Sequence, residues 1–373
     1  MTDVFKHNVS IKRCSKCVLP STLPNSDFNE KGECKWCDSG FPNYIPKGNE
    51  ELRNFLEQNR SITDSADCLV GVSGGKDSSF AAYQLKTKFN MEVEAFTYIH
   101  DGTTEFSLQN AKEFCRKLSI KHHILSLPKQ AHIRSFKGFF MAWLDSEDPV
   151  AAAMVCVACK HLHILGTKLA NDRGIPMVVW SGSPYEEPPF IPTHMEGAKT
   201  SKSKSMFSLA SLLMRKTFSQ TLFRRALTNN FFISLYGCLA FRPSSGYLQR
   251  RFPKVKHLNF FDYYNWDREE IIKKLIDHTN WSIPGSVVSD WHSDCLFNIF
   301  KEYMFQKMYG VSYTDAFLSN QIRYGLMTRK HAMEELIRSK DYYKSELLQT
   351  LTNLGLDHIR SKLDLSCFDI LKK

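Results

Sequence analysis

The stretch CLVGVSGGKDSS, Cys68 to Ser79, decides how this chain reads. Cys68 to Val72 is short and apolar enough for a buried strand of a parallel sheet. Gly74 and Gly75 follow at once and let the backbone turn tightly and approach an anion closely. Lys76, Asp77, Ser78 and Ser79 then open a helical pattern over residues 77–88, whose first amides have no partner inside the helix. Those amides, with the hydroxyls of Ser73, Ser78 and Ser79, form a cradle for phosphate. Asp77 would repel that phosphate unless a cation lies between them, so a bridging Mg²⁺ is expected. Lys76 is placed to offset the charge that accumulates there.

Working outward, strands and helices alternate as in a parallel α/β sheet. A second strand runs through VEAFTYI, a third through KHHILSL and a later one through PMVVWSGS. Helices are predicted over 107–118, 129–145 and 150–173. The fold class expected is α/β, a doubly wound and mostly parallel sheet, with a small N-terminal module and a helical C-terminal part. Four units follow: a cysteine module over 1–48, a nucleotide domain over 49–197, a basic helical insert over 198–256, and the end of the α/β domain with a helical region over 257–373.

The formal net charge is +10 over 373 residues. Between Ala198 and Phe261 there are twelve Lys or Arg and no Asp or Glu, so the remainder is slightly acidic. Basicity is a property of one segment, which weakens any argument from overall charge. No apolar run of about 18 residues is evident, and the first residues lack a secretory pattern, so a cytoplasmic protein is expected. Membrane contact through 198–256 stays open, because a basic amphipathic helix can lie on anionic lipid.

Eleven cysteines in such a chain argue against a disulfide framework. Cys14 and Cys17 form one CxxC pair, Cys34 and Cys37 another. This spacing suits a tetrahedral Zn²⁺ site with no open position, hence a structural one. Cys156 and Cys159 form a third pair inside a helical stretch. With Cys295 they could hold a second metal ion or an iron–sulfur cluster, or simply be buried thiols. For His161 and His163 a packing or surface role is expected rather than a ligand role.

The SGGxDS string after a strand resembles the loop of the PP-loop ATP pyrophosphatase superfamily. That resemblance implies cleavage of ATP between its α and β phosphates, with the loop holding the leaving pyrophosphate. It implies ATP contacts from Ser73, Gly74, Gly75, Asp77, Ser78 and Ser79, and from Tyr98 and His100 at the end of the second strand. Gly182 and Ser183, with Tyr185, Glu186 and Glu187 behind them, would border the nucleotide too. Lys76, Asp77 and Asp101 are the expected catalytic residues.

Several further strings occur in order: CSKCVLPSTLPN, CKWC, CVACKHLH, WSGSPYEEP, WHSDCLFNIFKEY and SNQIRYGLMTRKHAMEEL. Together they resemble the bacterial N-acetyl sugar amidotransferases of surface polysaccharide (lipopolysaccharide) and nonulosonic acid synthesis. This implies that ATP adenylates the amide oxygen of an acetamido sugar, nucleotide-linked or free, and that ammonia displaces AMP to leave an acetamidino group. Ammonia would come from a separate glutaminase subunit, with a channel-forming barrel protein. The alternative is a PP-loop tRNA-modifying enzyme, a sulfur or amino transferase that thiolates tRNA using a zinc or iron–sulfur cysteine site. Clustered Lys and Arg with Phe207, Phe218, Phe223, Phe231 and Phe232 would serve RNA binding. The SNQIRYGLMTRKHAMEEL tail speaks against it.

Overall fold

β1 (Cys68–Gly71) lies in the middle of a five-stranded sheet, because its residues are apolar toward both faces. The computed structural model describes residues 11–23, 26–38, 45–183, 219–283, 294–310 and 312–372. The strands β2 (Val93–Tyr98), β3 (Lys121–Leu125), β4 (Met177–Trp180) and β5 (Lys256–Asn259) complete the sheet in the order β3-β2-β1-β4-β5. Every pairing is parallel. The order reverses between β1 and β4, and in such sheets the ligand crevice opens there, beyond the C-terminal strand ends.

Alternation along β1 sorts its side chains into two cores. Cys68 and Val70 pack with Phe80, Leu85 and Phe114, carried by the helices Lys76–Thr87 and Glu105–Lys117, and with Phe260 and Phe261. Leu69 faces the other way, with Phe96, Val178 and Trp180 against Ala170 of the helix His161–Asp172. That helix approaches so closely that a Cβ on Gly166 would stand 2.5 Å from the Phe96 ring. A third core is built beside the sheet. There Phe136, Phe140 and Trp143 of the helix Ala131–Ser146 meet Phe300 and Tyr303 of Asn298–Tyr309, with Leu347 and Leu351 of the long helix Arg329–Asn353.

Three features depart from the sequence reading. The helix expected over 150–173 is broken into Pro149–Met154, a 3-10 turn Val157–Lys160, and His161–Asp172. Tyr98 Oη donates to the Ala158 carbonyl at 3.3 Å, and a Cβ on Gly237 would lie 2.4 Å from the Val157 carbonyl oxygen. Packing on both sides therefore shapes this turn, which local propensity does not encode. Read by length and composition alone, Pro149–Asp172 is apolar enough to cross a membrane, contrary to the expectation that no such run exists. More than half of it is buried inside the fold. Third, the polar tetrapeptide Lys-His-Leu-Asn forms the edge strand β5, joined to β4 also by Trp180 Nε1 donating to His257 Nδ1 at 3.1 Å.

In the basic segment the described residues form the helices Thr221–Asn229, Phe231–Leu239 and Gly246–Arg251. Phe223, Ala226 and Leu248 are buried, whereas Phe231 and Phe232 are exposed. Phe207 and Phe218 lie outside the described residues. His161 and His163 bond to the carbonyls of Ile233 and Ala240 at 2.9 and 2.7 Å, which is the expected packing role.

Glu94 on β2 ties two layers together. Its carboxylate accepts both Nε and Nη2 of Arg173 at 2.6 Å and faces His123 Nε2 at 2.7 Å. Burial opposes the charge, but Arg173 and then His123 outweigh it and hold the carboxyl below its ordinary value. A carboxyl lowered on folding adds stability above its unfolded pKa, and that stability is lost as pH falls through the folded value. Glu94→Gln should therefore lower the melting temperature at pH 7, and the deficit against wild type should shrink toward pH 3 in a thermal melt series.

Candidate active site

Gly74 fixes the loop after β1. Its φ is +90°, and a Cβ would fall 1.9 Å from the Ser107 carbonyl oxygen at the start of the neighbouring helix. The Gly74 carbonyl accepts Trp281 Nε1 at 2.9 Å and Asn110 Nδ2 at 3.2 Å. Within the loop, Ser73 N donates to Ser78 Oγ at 3.1 Å and Gly75 N to Ser73 Oγ at 3.3 Å. The Ser79 hydroxyl is buried and has no partner among the described residues. An incoming phosphate oxygen could satisfy such an orphaned donor.

Lys76 is almost wholly buried, 5% exposed, an unusual state for a lysine unless a charge faces it. Its Nζ lies 3.2 Å from Asp77 Oδ2, while Asp77 Oδ1 accepts Trp266 Nε1 at 2.7 Å. Asp77 is thus oriented by two neighbours and sits inside the first turn, with Gly75 as the capping residue. A second carboxylate reaches the loop: Asp294 accepts a hydrogen bond from the Ser73 side chain, and burial pushes its carboxyl up.

The end of β2 carries the next group. Leu296 N donates to the Gly102 carbonyl at 2.7 Å and Thr104 N to the Asp294 carbonyl at 3.2 Å, so residues 294–296 lie along 102–104. This brings Cys295 Sγ to 4.0 Å from His100 Nε2. The broken helix delivers the other two cysteines. Cys159 Sγ lies 3.2 Å from His132 Nε2, and Cys156 bonds to Cys159. Cys156, Cys159 and Cys295 thus lie in one neighbourhood, but their three sulfurs do not converge within 4.8 Å of one another; the ligand group found there is His100, His132 and Cys159, not the three cysteines expected.

His100, His132 and Cys159 offer ligand atoms within 4.8 Å of one another. However, the two imidazoles stack with centroids 4.2 Å apart and planes only 10° apart. Their lone pairs lie in the ring planes and run nearly parallel, so one ion cannot meet both without a ring turning. Burial lowers His100 to about 4 and His132 to about 2, leaving both rings neutral at pH 7. Burial pushes Cys295 up to about 12, whereas the bond from Cys159, aided by Lys301 and Lys160, brings Cys156 down to about 6. Burial disfavours charge on Lys301, yet the adjacent sulfurs, Cys156 foremost, and Tyr313 hold it above its ordinary value.

Other expected residues are spread around the same crevice. Asp101 Oδ2 accepts Ile133 N at 3.1 Å and so caps the helix Ala131–Ser146. Tyr98 spends its hydroxyl on the 3-10 turn. At the end of β4, next to β1, the Gly182 carbonyl accepts Asn259 Nδ2 at 2.9 Å, and Ser183 is buried. Tyr185, Glu186 and Glu187 lie outside the described residues. Sequence reasoning missed His132, Trp266, Trp281, Asp294 and Lys301. Asp294 adjoins Cys295 and could have been suspected; the others carry no local signal.

The four N-terminal cysteines converge in a zinc-ribbon-like cluster, their sulfurs within 4.8 Å of one another. Cys14 Sγ accepts the amides of Cys17 and Cys34 at 3.5 and 3.2 Å, and Cys17 Sγ accepts Leu19 N at 3.4 Å. Amide donors aimed at sulfur suit thiolates around a metal, so the residues fit Zn²⁺. Arg323 Nη2 lies 3.4 and 3.7 Å from the Cys17 and Cys34 sulfurs, and Arg329 Nε donates to the Cys14 and Cys17 carbonyls. The module is thereby docked on the C-terminal helices.

Residues 49–142 match the NAD synthase family model, and this stretch contains the loop, β2 and the helix between them. The α/β domain belongs to the PP-loop ATP pyrophosphatase superfamily. Over 156 residues the chain is 25% identical to the tRNA-5-methyluridine(54) 2-sulfurtransferase of Pyrococcus horikoshii, covering 42% of this chain and 46% of that protein. Over 59 residues it is 39% identical to the 7-cyano-7-deazaguanine synthase of Clostridium novyi, covering 16% of this chain and 26% of that one. The chain thus spans less than half the length of these curated relatives. Among solved structures, the NMN synthetase of Francisella tularensis aligns over 78% of this chain and 92% of its own, with 14% identity and a TM-score of 0.36.

Two outcomes follow for the PP-loop domain and its cysteine module. Gly74→Ala should abolish ATP binding, measured by titration calorimetry, because the added methyl meets backbone rather than a movable side chain. Cys34→Ser should lose bound zinc, measured by mass spectrometry of metals, and lower the melting temperature by several degrees, since metal binding in such a module is coupled to its folding.

Proposed function

We propose that the chain is an AMP-forming enzyme that adenylates an amide-type carbonyl oxygen. The loop holds the β and γ phosphates of ATP through its amides and the Ser73, Ser78 and Ser79 hydroxyls. The acceptor oxygen attacks the α phosphorus, pyrophosphate leaves, and AMP remains bonded to the oxygen. A nitrogen or sulfur nucleophile then adds to the carbon, and AMP departs with the former carbonyl oxygen. Amides are poor electrophiles because their nitrogen donates into the carbonyl; adenylation supplies the missing leaving group.

Lys76 stabilises charge on the departing pyrophosphate, and its burial strengthens that interaction. Mg²⁺ held by Asp77 would neutralise the phosphates, with Asp294 at hand as a further carboxylate. Tyr98, His100, Gly182 and Ser183 border the adenosine. Zn²⁺ on Cys14, Cys17, Cys34 and Cys37 is structural. The observation that carries the reading is the coincidence of the SGGxDS loop, its placement at the sheet's reversal point, and the match over 49–142.

For the acceptor, the comparisons favour tRNA thiolation: one curated relative is a tRNA 2-sulfurtransferase. The neighbourhood of Cys156, Cys159 and Cys295 beside His100 and His132 supports the same reading, since thiols at the crevice can handle sulfur. The acetamido sugar reading is supported by the order of the motifs, from CSKCVLPSTLPN to SNQIRYGLMTRKHAMEEL, most of which lie outside the matched stretch. It brings an external glutaminase, and a barrel subunit for ammonia, as partners.

Purified chain with ATP should release AMP and pyrophosphate only when a competent acceptor and nucleophile are both present. UDP-linked acetamido sugars with ammonia are one arm, and unmodified tRNA with sulfide the other, each product identified by mass spectrometry. Asp77→Ala should reduce turnover by at least about a thousandfold. Release of ADP and orthophosphate instead would overturn the reaction class.

A further inference from the structure

Beyond the end of β2 a cavity of about 540 Å³, open to solvent, lies between two helices. Its size is that of a small-molecule site, roughly 300–1,000 Å³. One wall is the first turns of Ala131–Ser146, with Gln130, Arg134 and Lys137; the other is the end of Arg329–Asn353, with Asn353 and Leu354. Asp101, just past the end of β2, lines the cavity as well. It is the one residue that belongs both to this lining and to the expected catalytic set.

The walls differ chemically. Arg134 and Lys137 stand one helical turn apart, and neither has an ion-pair partner among the described residues. Arg134 sits in the first turn of a 16-residue helix, at the positive end of its dipole, and Lys137 in the second turn. Gln130 precedes that helix in the left-handed region, φ +60°, and its side chain makes no capping bond, so its amide is free to meet a ligand. The opposite wall is a helix C-terminus whose Thr350, Leu351 and Thr352 carbonyls already accept the amides of Leu354, Leu356 and Gly355, so its polar contribution is the Asn353 amide. Asp101 uses one oxygen for Ile133 N, which leaves the other as an acceptor. Cations on one side and hydroxyl acceptors on the other suit a phosphorylated sugar.

Resting on the adenylating reading above, we propose that this cavity is the acceptor subsite. Arg134 and Lys137 bind the acceptor's phosphate, and Asp101, Gln130 and Asn353 bind its hydroxyls. From that anchored phosphate the acceptor extends past Asp101 toward the loop. A nucleoside diphosphate sugar and an RNA backbone both carry the required phosphate and hydroxyls.

Calorimetric titration of the full chain, first saturated with α,β-methylene-ATP, tests this. UDP, UDP-N-acetylglucosamine and a short tRNA stem-loop serve as separate probes. At least one should bind, and Arg134→Ala and Lys137→Ala should each weaken it by about tenfold. The conservative Lys137→Arg should retain binding. In steady state the same variants should raise KM for the acceptor while KM for ATP stays unchanged. The probe that binds identifies the source of the phosphate. If all three bind the variants as they bind wild type, or none binds at all, the subsite is refuted while the ATP site stands. If the ATP analogue itself does not bind, the adenylating reading fails, and the same titrations without it still decide the subsite.

Discussion

The approach of Gly74 to the Ser107 carbonyl is the constraint on which the site depends. Backbone meets backbone there, so no side-chain adjustment can make room for a larger residue. The contact pins the loop to the helix that follows β2, and Trp281 and Asn110 bond to the same glycine carbonyl. With the loop held from outside, its amides and hydroxyls keep their aim before any ligand arrives. Preorganisation of this kind is where electrostatic catalysis gains most.

The two cysteine sets illustrate opposite uses of one residue type. The N-terminal four are enclosed by amide donors and an arginine, a closed environment that leaves no coordination position for chemistry. The internal three stand at the crevice beside two stacked, neutral histidines and Lys301. They come from two separate stretches of chain, 156–159 and 295, which suits a site that must be assembled by the fold.

Legibility in the sequence followed locality. The β1 loop could be read because strand, glycines and helix start are consecutive, and the first two CxxC pairs because their spacing alone suggests a knuckle. Sheet class and the strands β1, β2 and β4 were legible from apolar runs, and β3, Lys-His-His-Ile-Leu, from its place in the alternation of strands and helices. β5 was not, because Lys256–Asn259 has one apolar residue and is a strand only by virtue of its pairing with β4. The break at Val157–Lys160 was hidden for the same reason: it answers to Tyr98 and Gly237, far away in sequence. His132 and Lys301 gain their roles purely from packing. Arg134 and Lys137 look like ordinary surface charge until the cavity behind them is seen.

The docking of the N-terminal module has a consequence for biosynthesis. Arg13 pairs with Asp315 across 302 residues of chain. At roughly 5–20 residues per second, a ribosome leaves the first four thiols waiting on the order of 15–60 seconds before their seat emerges. An ion captured by those thiols would hold the knuckle together during that interval, and zinc supply in the growing cell would then govern how much of the nascent chain matures.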